Sequence, residues 1–170
     1  IIGTMNSSDR SLTALDVAMR RRFKFQELLP EPQLFQGIII EDIEIQALLE
    51  ALNERIEYLI GRDYCIGHAY FTLLLNEENQ TFEKLADILK NQILPLLQEY
   101  FYSDWEKIDL VLGCNNFVYK NELQGKSLRL FENTQVMPEE VWNINTKAFD
   151  DPKNYIKIYK DIELEGPQAK

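Results

Sequence analysis

Apolar residues at helical spacing fill the middle of the chain and most constrain what it can fold into. In one stripe they recur at i, i+3, i+4 and i+7: Ile45, Leu48, Leu49, Leu52, Ile56, Leu59 and Ile60. This spacing predicts a helix with one buried face, and Gly61 is a suitable residue to end it. The chain is therefore built around at least one helix that cannot stand alone.

Two further stripes follow. Residues 82–97 predict a second helix, which Pro95 should kink near its last turns because proline removes a backbone donor. Ser103 and Glu106 have the spacing of a capping box and predict a third, shorter helix ending at Gly113. Helices with one apolar face each must pack together, so we expect a small bundle with a short additional helix around residues 68–75.

The flanking regions have a different pattern. Apolar runs at residues 1–5 and 23–28, joined through a helix that ends near residue 21, predict a strand–helix–strand unit with parallel strands. Proline at positions 30 and 32 should end regular structure. Short strands are predicted at 117–119, 128–131, 142–145 and 155–159. The expected fold is mixed α and β but mainly helical: the end of a parallel α/β core over 1–30, a helical region over 31–113 and a strand-rich extension over 114–170.

Charge and composition exclude several classes of protein. The net charge is −10, and residues 31–112 hold 16 acidic and five basic side chains, so the chain as a whole should repel a nucleic-acid backbone. Cys65 and Cys114 lack the paired spacing of a zinc site or a disulfide framework, and we expect no metal site. No apolar run reaches the roughly 20 residues that cross a bilayer, so we expect no membrane association and a cytoplasmic location. Because the chain begins with Ile1 inside an apolar run, and not with an initiator methionine, we expect it to be a piece of a longer protein.

A polar cluster follows the first predicted strand. Asn6, Asp9 and Arg10 stand where loops at the carboxyl end of a parallel sheet usually face a ligand. An asparagine there can orient a water molecule, and an adjacent carboxylate and guanidinium can hold that network and offset negative charge, as phosphoryl transfer requires. Taken alone, this pattern is only weakly specific.

Three consecutive arginines, Arg20, Arg21 and Arg22, end the first predicted helix. The helix dipole favours cations at a helix C-terminus, so one interpretation is that these arginines are simply stabilised surface residues.

The two stretches together, residues 2–12 and 15–23, resemble the second half of an AAA+ nucleotide-hydrolysing core. In detail they are similar to the McrB-like family, the GTPase subunits of methylcytosine-specific restriction systems, and here Ser7 and Ser8 replace threonine and alanine of the family motif. The resemblance implies that Asn6 is the sensor-1 residue that positions the attacking water and that Asp9 and Arg10 support it. It also implies that an arginine finger, Arg20 or Arg21 in preference to Arg22, reaches the nucleotide of a neighbouring subunit.

A second resemblance lies at Ile66-Gly67-His68-Ala69-Tyr70-Phe71, close to the Ile-Gly-His-Ser-Tyr-Phe stretch of the same family. AAA+ lids begin their sensor-2 helix here, although the usual sensor-2 arginine is absent. The resemblance implies that Gly67 and His68 face the nucleotide. His68 is the only histidine of the chain, and a structural role for it is equally consistent with the sequence.

No Gly-x-x-x-x-Gly-Lys-Ser/Thr sequence occurs, and no apolar strand ends in adjacent acids that would hold Mg²⁺. We therefore expect these 170 residues alone to bind no cofactor and to be inactive. The resemblance implies a longer protein that uses GTP and Mg²⁺, forms a ring, expected to be a hexamer, drives a nuclease subunit, and contacts DNA through a separate N-terminal domain. Two alternatives stay open: a generic AAA+ ATPase such as a MoxR-like chaperone, and a non-catalytic helical interaction module.

Overall fold

A computed structural model describes Arg22, Lys24 and residues 26–121 and 140–160. The predicted strand–helix–strand unit lies outside these residues, except that 26–30, where its last strand should end, form no regular element. The predicted strand at 128–131 is also outside them. The described part is mainly helical and contains two small antiparallel sheets of two strands each. In the described residues no helix is long and apolar enough to cross a membrane.

The first long helix is confirmed. Helix α1 spans Ile45–Ile60, and the predicted stripe supplies most of its buried residues. Gly61 follows at φ +104°, a conformation that suits glycine because it has no Cβ. Two elements that the sequence did not predict precede α1: the 3₁₀ helix Pro32–Phe35 and the antiparallel pair of strands β1 (Ile39–Ile40) and β2 (Ile43–Glu44).

The second stripe forms one continuous helical run in three parts. Helix α2 spans Phe82–Ile88, a π-helical segment spans Leu89–Ile93, and helix α3 spans Leu94–Tyr100. Pro95 cannot donate a backbone hydrogen bond, and its ring crowds the preceding turn. The widened π turn lies directly before α3 and its proline, as expected where the regular hydrogen-bond ladder is interrupted.

Helix α4, Trp105–Val111, is confirmed, but its predicted cap is wrong by one residue. Asp104 caps the helix by accepting a hydrogen bond from the backbone N–H of Lys107 at 3.3 Å. Ser103 has φ +60° and so lies one position outside the capping geometry. The additional helix is confirmed at His68–Leu75 as a 3₁₀ helix, whose three-residue turn places Phe71 and Leu74 on one buried face.

Strands β3 (Val118–Asn121) and β4 (Val141–Ile144) pair antiparallel and confirm two of the strand predictions. The strand predicted at 155–159 is wrong, because Pro152–Tyr159 is helix α5. Asp151 caps it, Pro152 occupies its first turn, and Tyr155 and Ile158 bury one face at a spacing of three. A 3₁₀ helix, Thr146–Asp150, links β4 to α5.

One hydrophobic core joins the described elements. Its largest fully buried side chains come from before, within and after the bundle: Tyr155, Phe35, Phe71, Phe117, Phe149, Ile43, Ile45, Leu48, Leu49, Leu52, Ile56 and Ile66. Phe117 contacts both Phe149 and Tyr155, with ring centroids 4.8 and 5.5 Å apart. The residues after 140 therefore share the core of α1 and its neighbours.

Arg55 of α1 binds two other helices, α4 and α5, through hydrogen bonds. Its guanidinium donates to the carbonyl of Val111 at 2.9 Å and to the carbonyl of Ile158 at 2.5 Å. These carbonyls belong to the last turns of α4 and α5, where helix carbonyls lack intrahelical partners and the dipole favours a cation. Gly113, at φ +84°, leaves room for this side chain, since a Cβ there would lie 2.9 Å from Asn115 Nδ2, 3.1 Å from Arg55 Nη1 and 3.3 Å from Ile158 Cα.

We predict that Gly113→Ala lowers the free energy of unfolding by about 2–4 kcal/mol, because it adds backbone strain and crowds both Arg55 and the backbone of Ile158. Gly37 is the matched control, since it has a similar φ of +82° but open space at its Cβ. Gly37→Ala should cost only the strain, about 1–2 kcal/mol. Denaturant unfolding of both variants measures the difference, and equal losses would contradict the crowding.

Candidate functional site

The candidate site lies where the chain passes from α1 into the 3₁₀ helix that begins at His68. We call residues 61–68 the connector. Asn53, a buried polar residue of α1, holds it from below: its Oδ1 accepts from the backbone N–H of Ile66 at 2.6 Å and its Nδ2 donates to the carbonyl of Ile66 at 3.0 Å. The side-chain amide thus satisfies both backbone groups of Ile66 as a neighbouring strand would.

Gly67 and His68 follow this anchored residue directly. His68 is half-buried, and its Nδ1 accepts a hydrogen bond from the backbone N–H of Glu31 at 3.1 Å. Gly67 has φ −66°, which any residue can adopt, and its Cβ position faces open space among the described residues. Glycine is therefore not required here by the backbone, and the open space leaves room for another molecule.

The segment that approaches the connector, residues 26–31, also contacts it through charges. Arg62 Nη2 lies 2.5 Å from Glu27 Oε2, and both side chains are largely exposed. Glu27 raises the pKa of the Arg62 guanidinium through this hydrogen bond, so the guanidinium stays charged at neutral pH. Because solvent screens an exposed ion pair of this kind, it contributes little to stability.

A groove of about 400 Å³ separates this approach segment from α1. Its lining comes from the approach segment, the first residue of the following 3₁₀ helix, α1 and the connector: Leu29, Pro30, Pro32, Glu50, Asn53, Glu54, Glu57, Arg62 and Cys65. Three glutamates against one arginine make it unsuitable for a phosphate group. Burial raises the pKa of the Cys65 thiol, so Cys65 is not an activated nucleophile.

The remaining predicted site residues divide into two groups. Asn6, Asp9, Arg10, Arg20 and Arg21 lie outside the described residues, and Arg22 is exposed. Within residues 26–121 and 140–160, no cluster of three or more histidine, cysteine, aspartate or glutamate side chains could hold a metal ion. The structure thus brings Gly67 and His68 together with Glu31 and does not test the predicted roles of the arginines.

The sequence analysis missed Asn53, Glu31 and the Arg62–Glu27 pair. Asn53 could have been found, since it stands on the apolar stripe of α1, between Leu52 and Ile56, where a polar side chain must find a partner. The partner of Asn53 could not have been found from the sequence, because Ile66 takes part in these hydrogen bonds only through its backbone.

We predict that Asn53→Asp destabilises the fold in a pH-dependent way. The introduced carboxylate, once ionised, loses the donor to the Ile66 carbonyl, at a cost of about 1–3 kcal/mol, whereas the protonated acid can still donate. Its folded pKa should therefore lie above its unfolded value of about 3.9, so the loss is smallest below about pH 4 and reaches its full size as the pH rises through the folded pKa. Unfolding measured relative to the native chain at several pH values should show this slope, and Asn53→Ala, which cannot titrate, should show none.

Comparison with known proteins identifies the helical region. The model of the family described as McrB, alpha-helical lid domain, matches residues 44–109, from the end of β2 to α4. The type IV methyl-directed restriction enzyme EcoKMcrB subunit of Escherichia coli strain K12 is 34% identical over 117 residues, which cover 61% of this chain and 26% of that subunit. The chain thus spans about a quarter of its relative's length. Residues 44–109 are therefore similar to the α-helical lid domain of McrB proteins, and the chain is similar to that subunit over the region that the two share.

Proposed function

We propose that this chain supplies the sensor-1 loop, the arginine fingers and the lid of a GTP-hydrolysing AAA+ motor. The observation that carries the proposal is the coincidence of two independent features. The described helical domain matches an McrB lid, and the residues before it carry the Asn6, Asp9 and Arg10 pattern at the spacing expected just upstream of such a lid. The related subunit is a methyl-directed restriction enzyme subunit, and we extend that role to this chain.

Among the described residues, Gly67 and His68 are the ones that suit contact with a nucleotide. Because Nδ1 of His68 accepts from the backbone N–H of Glu31, the ring proton lies on Nε2, a donor suited to a nucleotide oxygen. Gly67 leaves open space beside it. The described residues hold no carboxylate cluster for Mg²⁺, so the ligands of that ion and the phosphate-binding loop would come from another part of the protein.

The arginines would act across a subunit boundary. An arginine finger neutralises the charge that develops on the transferred phosphoryl group and contributes about 10³–10⁵ in rate. We assign this role to Arg20 or Arg21 before Arg22, and assign Asn6, with Asp9 and Arg10, to positioning the attacking water. Such a finger requires a ring, for which we propose a hexamer that works in the cytoplasm with a nuclease subunit and reaches DNA through a separate domain.

The first test is nucleotide turnover by a protein that contains this chain together with a phosphate-binding loop. Arg10→Ala and Arg21→Ala should each lower GTP turnover about tenfold or more, because they remove charge from the reacting site. Lys84→Ala, which removes an exposed cation from the lid, is the control and should change nothing. Turnover of ATP instead of GTP would point to a general AAA+ motor, and turnover unaffected by both arginine changes would favour a non-catalytic helical module. The 170 residues alone should not exceed a buffer blank.

We also predict that Gly67→Ala does not lower the stability but weakens turnover. The backbone of Gly67 suits alanine and its Cβ would meet no described atom, so the free energy of unfolding should be equal to the native value or higher by up to about 1 kcal/mol, because alanine restricts the unfolded chain. If the nucleotide approaches here, the added methyl group should raise the KM for GTP several-fold. Unchanged kinetics in a normally stable variant would remove Gly67 from the site.

A further inference from the structure

His68 makes one contact that its proposed nucleotide-facing role does not use. Its Nδ1 accepts the backbone N–H of Glu31 at 3.1 Å, across 37 residues of sequence. A backbone amide can only donate, so Nδ1 must carry the lone pair and Nε2 the proton. The two ring nitrogens therefore have different roles: Nδ1 accepts from the protein's own backbone, and Nε2 can donate to another partner.

Glu31 is an unusual donor because of its neighbours. Pro30 and Pro32 have no backbone N–H, so Glu31 supplies the one amide donor in this three-residue stretch, and that donor is given to His68. Each proline also restricts the residue before it to extended conformations, which stiffens Leu29 and Glu31. Because this segment is stiff, the single hydrogen bond at Glu31 fixes the direction in which it runs.

The connector on the other side of this bond is equally well held. Asn53 bonds both backbone groups of Ile66, two residues before His68. Phe71, three residues after His68, is fully buried and packs against Phe35, with ring centroids 6.1 Å apart. The imidazole is thus fixed in position relative to the core, and it binds the approach segment that leads into the helical domain.

We propose that His68 is a positioning residue whose Nδ1 latches the approach segment, residues 26–31, onto the connector and so sets the direction in which the chain enters the lid. The proposal rests on the proposed function only in taking the residues before 26 as part of the catalytic core. In that setting the latch fixes the angle between core and lid, on which closure over a nucleotide depends. The Arg62–Glu27 pair supports the same attachment from the exposed side.

Two substitutions separate the latch from the nucleotide-facing role. His68→Asn places an amide oxygen near the position of Nδ1 and keeps the acceptor but loses the Nε2 donor. His68→Gln reaches the position of Nε2 and keeps that donor but loses the acceptor. Amide exchange measured by NMR on the 170-residue chain should show Glu31 exchanging about 2- to 10-fold faster in His68→Gln, as expected for one lost hydrogen bond, and within about twofold of native in His68→Asn. The amide of Lys84, capped by Thr81 elsewhere in the lid, is the internal control.

A second measurement needs no variant. Since His68 is the only histidine, long-range ¹H–¹⁵N correlation reports its tautomer without ambiguity, and the latch requires the proton on Nε2. A proton on Nδ1, or equal Glu31 exchange in the two variants, overturns the latch. These results do not depend on GTP turnover. Turnover lost in His68→Asn, which keeps the Nδ1 acceptor, would concern the nucleotide-facing role alone, so the latch and the proposed function can fail separately.

Discussion

The guanidinium of Arg55 lies at the point where three helices meet. It bridges carbonyls in the last turns of α4 and α5, which are 56 and 103 residues away in sequence, and it does so from within α1. Those carbonyls would otherwise be buried or half-buried without partners, at a cost that packing alone does not offset. Because the charge is shared between two helix ends, neither helix can shift without leaving the other with an incomplete partner.

Asn53 holds the connector in the same way as Arg55 holds the ends of α4 and α5, by hydrogen bonds to backbone groups of a distant segment. Both side chains leave α1 within one turn, and both bond backbone groups instead of side chains, so the residues they hold are free to vary in chemistry. These two side chains therefore add directional contacts to a largely apolar core, in which Asn115 is a further buried polar residue. Hydrogen bonds depend on the relative orientation of their groups, whereas hydrophobic burial does not. A functional site requires such fixed orientations.

The sequence was most informative where a physical signal was local. The stripe that predicts α1 needs only neighbouring residues to be recognised, and Gly61 and Gly113 end their helices as expected. The strand predicted at 155–159 was wrong because alternating apolar residues also fit a short helix, and its cap at Asp151 was overlooked. The bond from Glu31 to His68 could not be predicted at all, since it depends on how two distant segments meet in space. The roles of the arginines stay predictions that came from resemblance.

Helix α5 returns to the pair of strands, β1 and β2, that precedes α1. The hydroxyl of Tyr159 accepts from the backbone N–H of Glu44 at 3.0 Å and donates to the carbonyl of Asp42 at 3.3 Å, so residues 115 and 117 positions apart close the domain on itself. Contacts of such long range form late and slow the folding of a small domain. During synthesis, the buried residues that pack with Tyr155 and Ile158 in the core remain without these partners until α5 has left the ribosome. The helical domain is therefore completed by α5, which lies beyond the residues that match the lid family, and a ribosome that stalls before this point leaves an apolar surface open to misassembly.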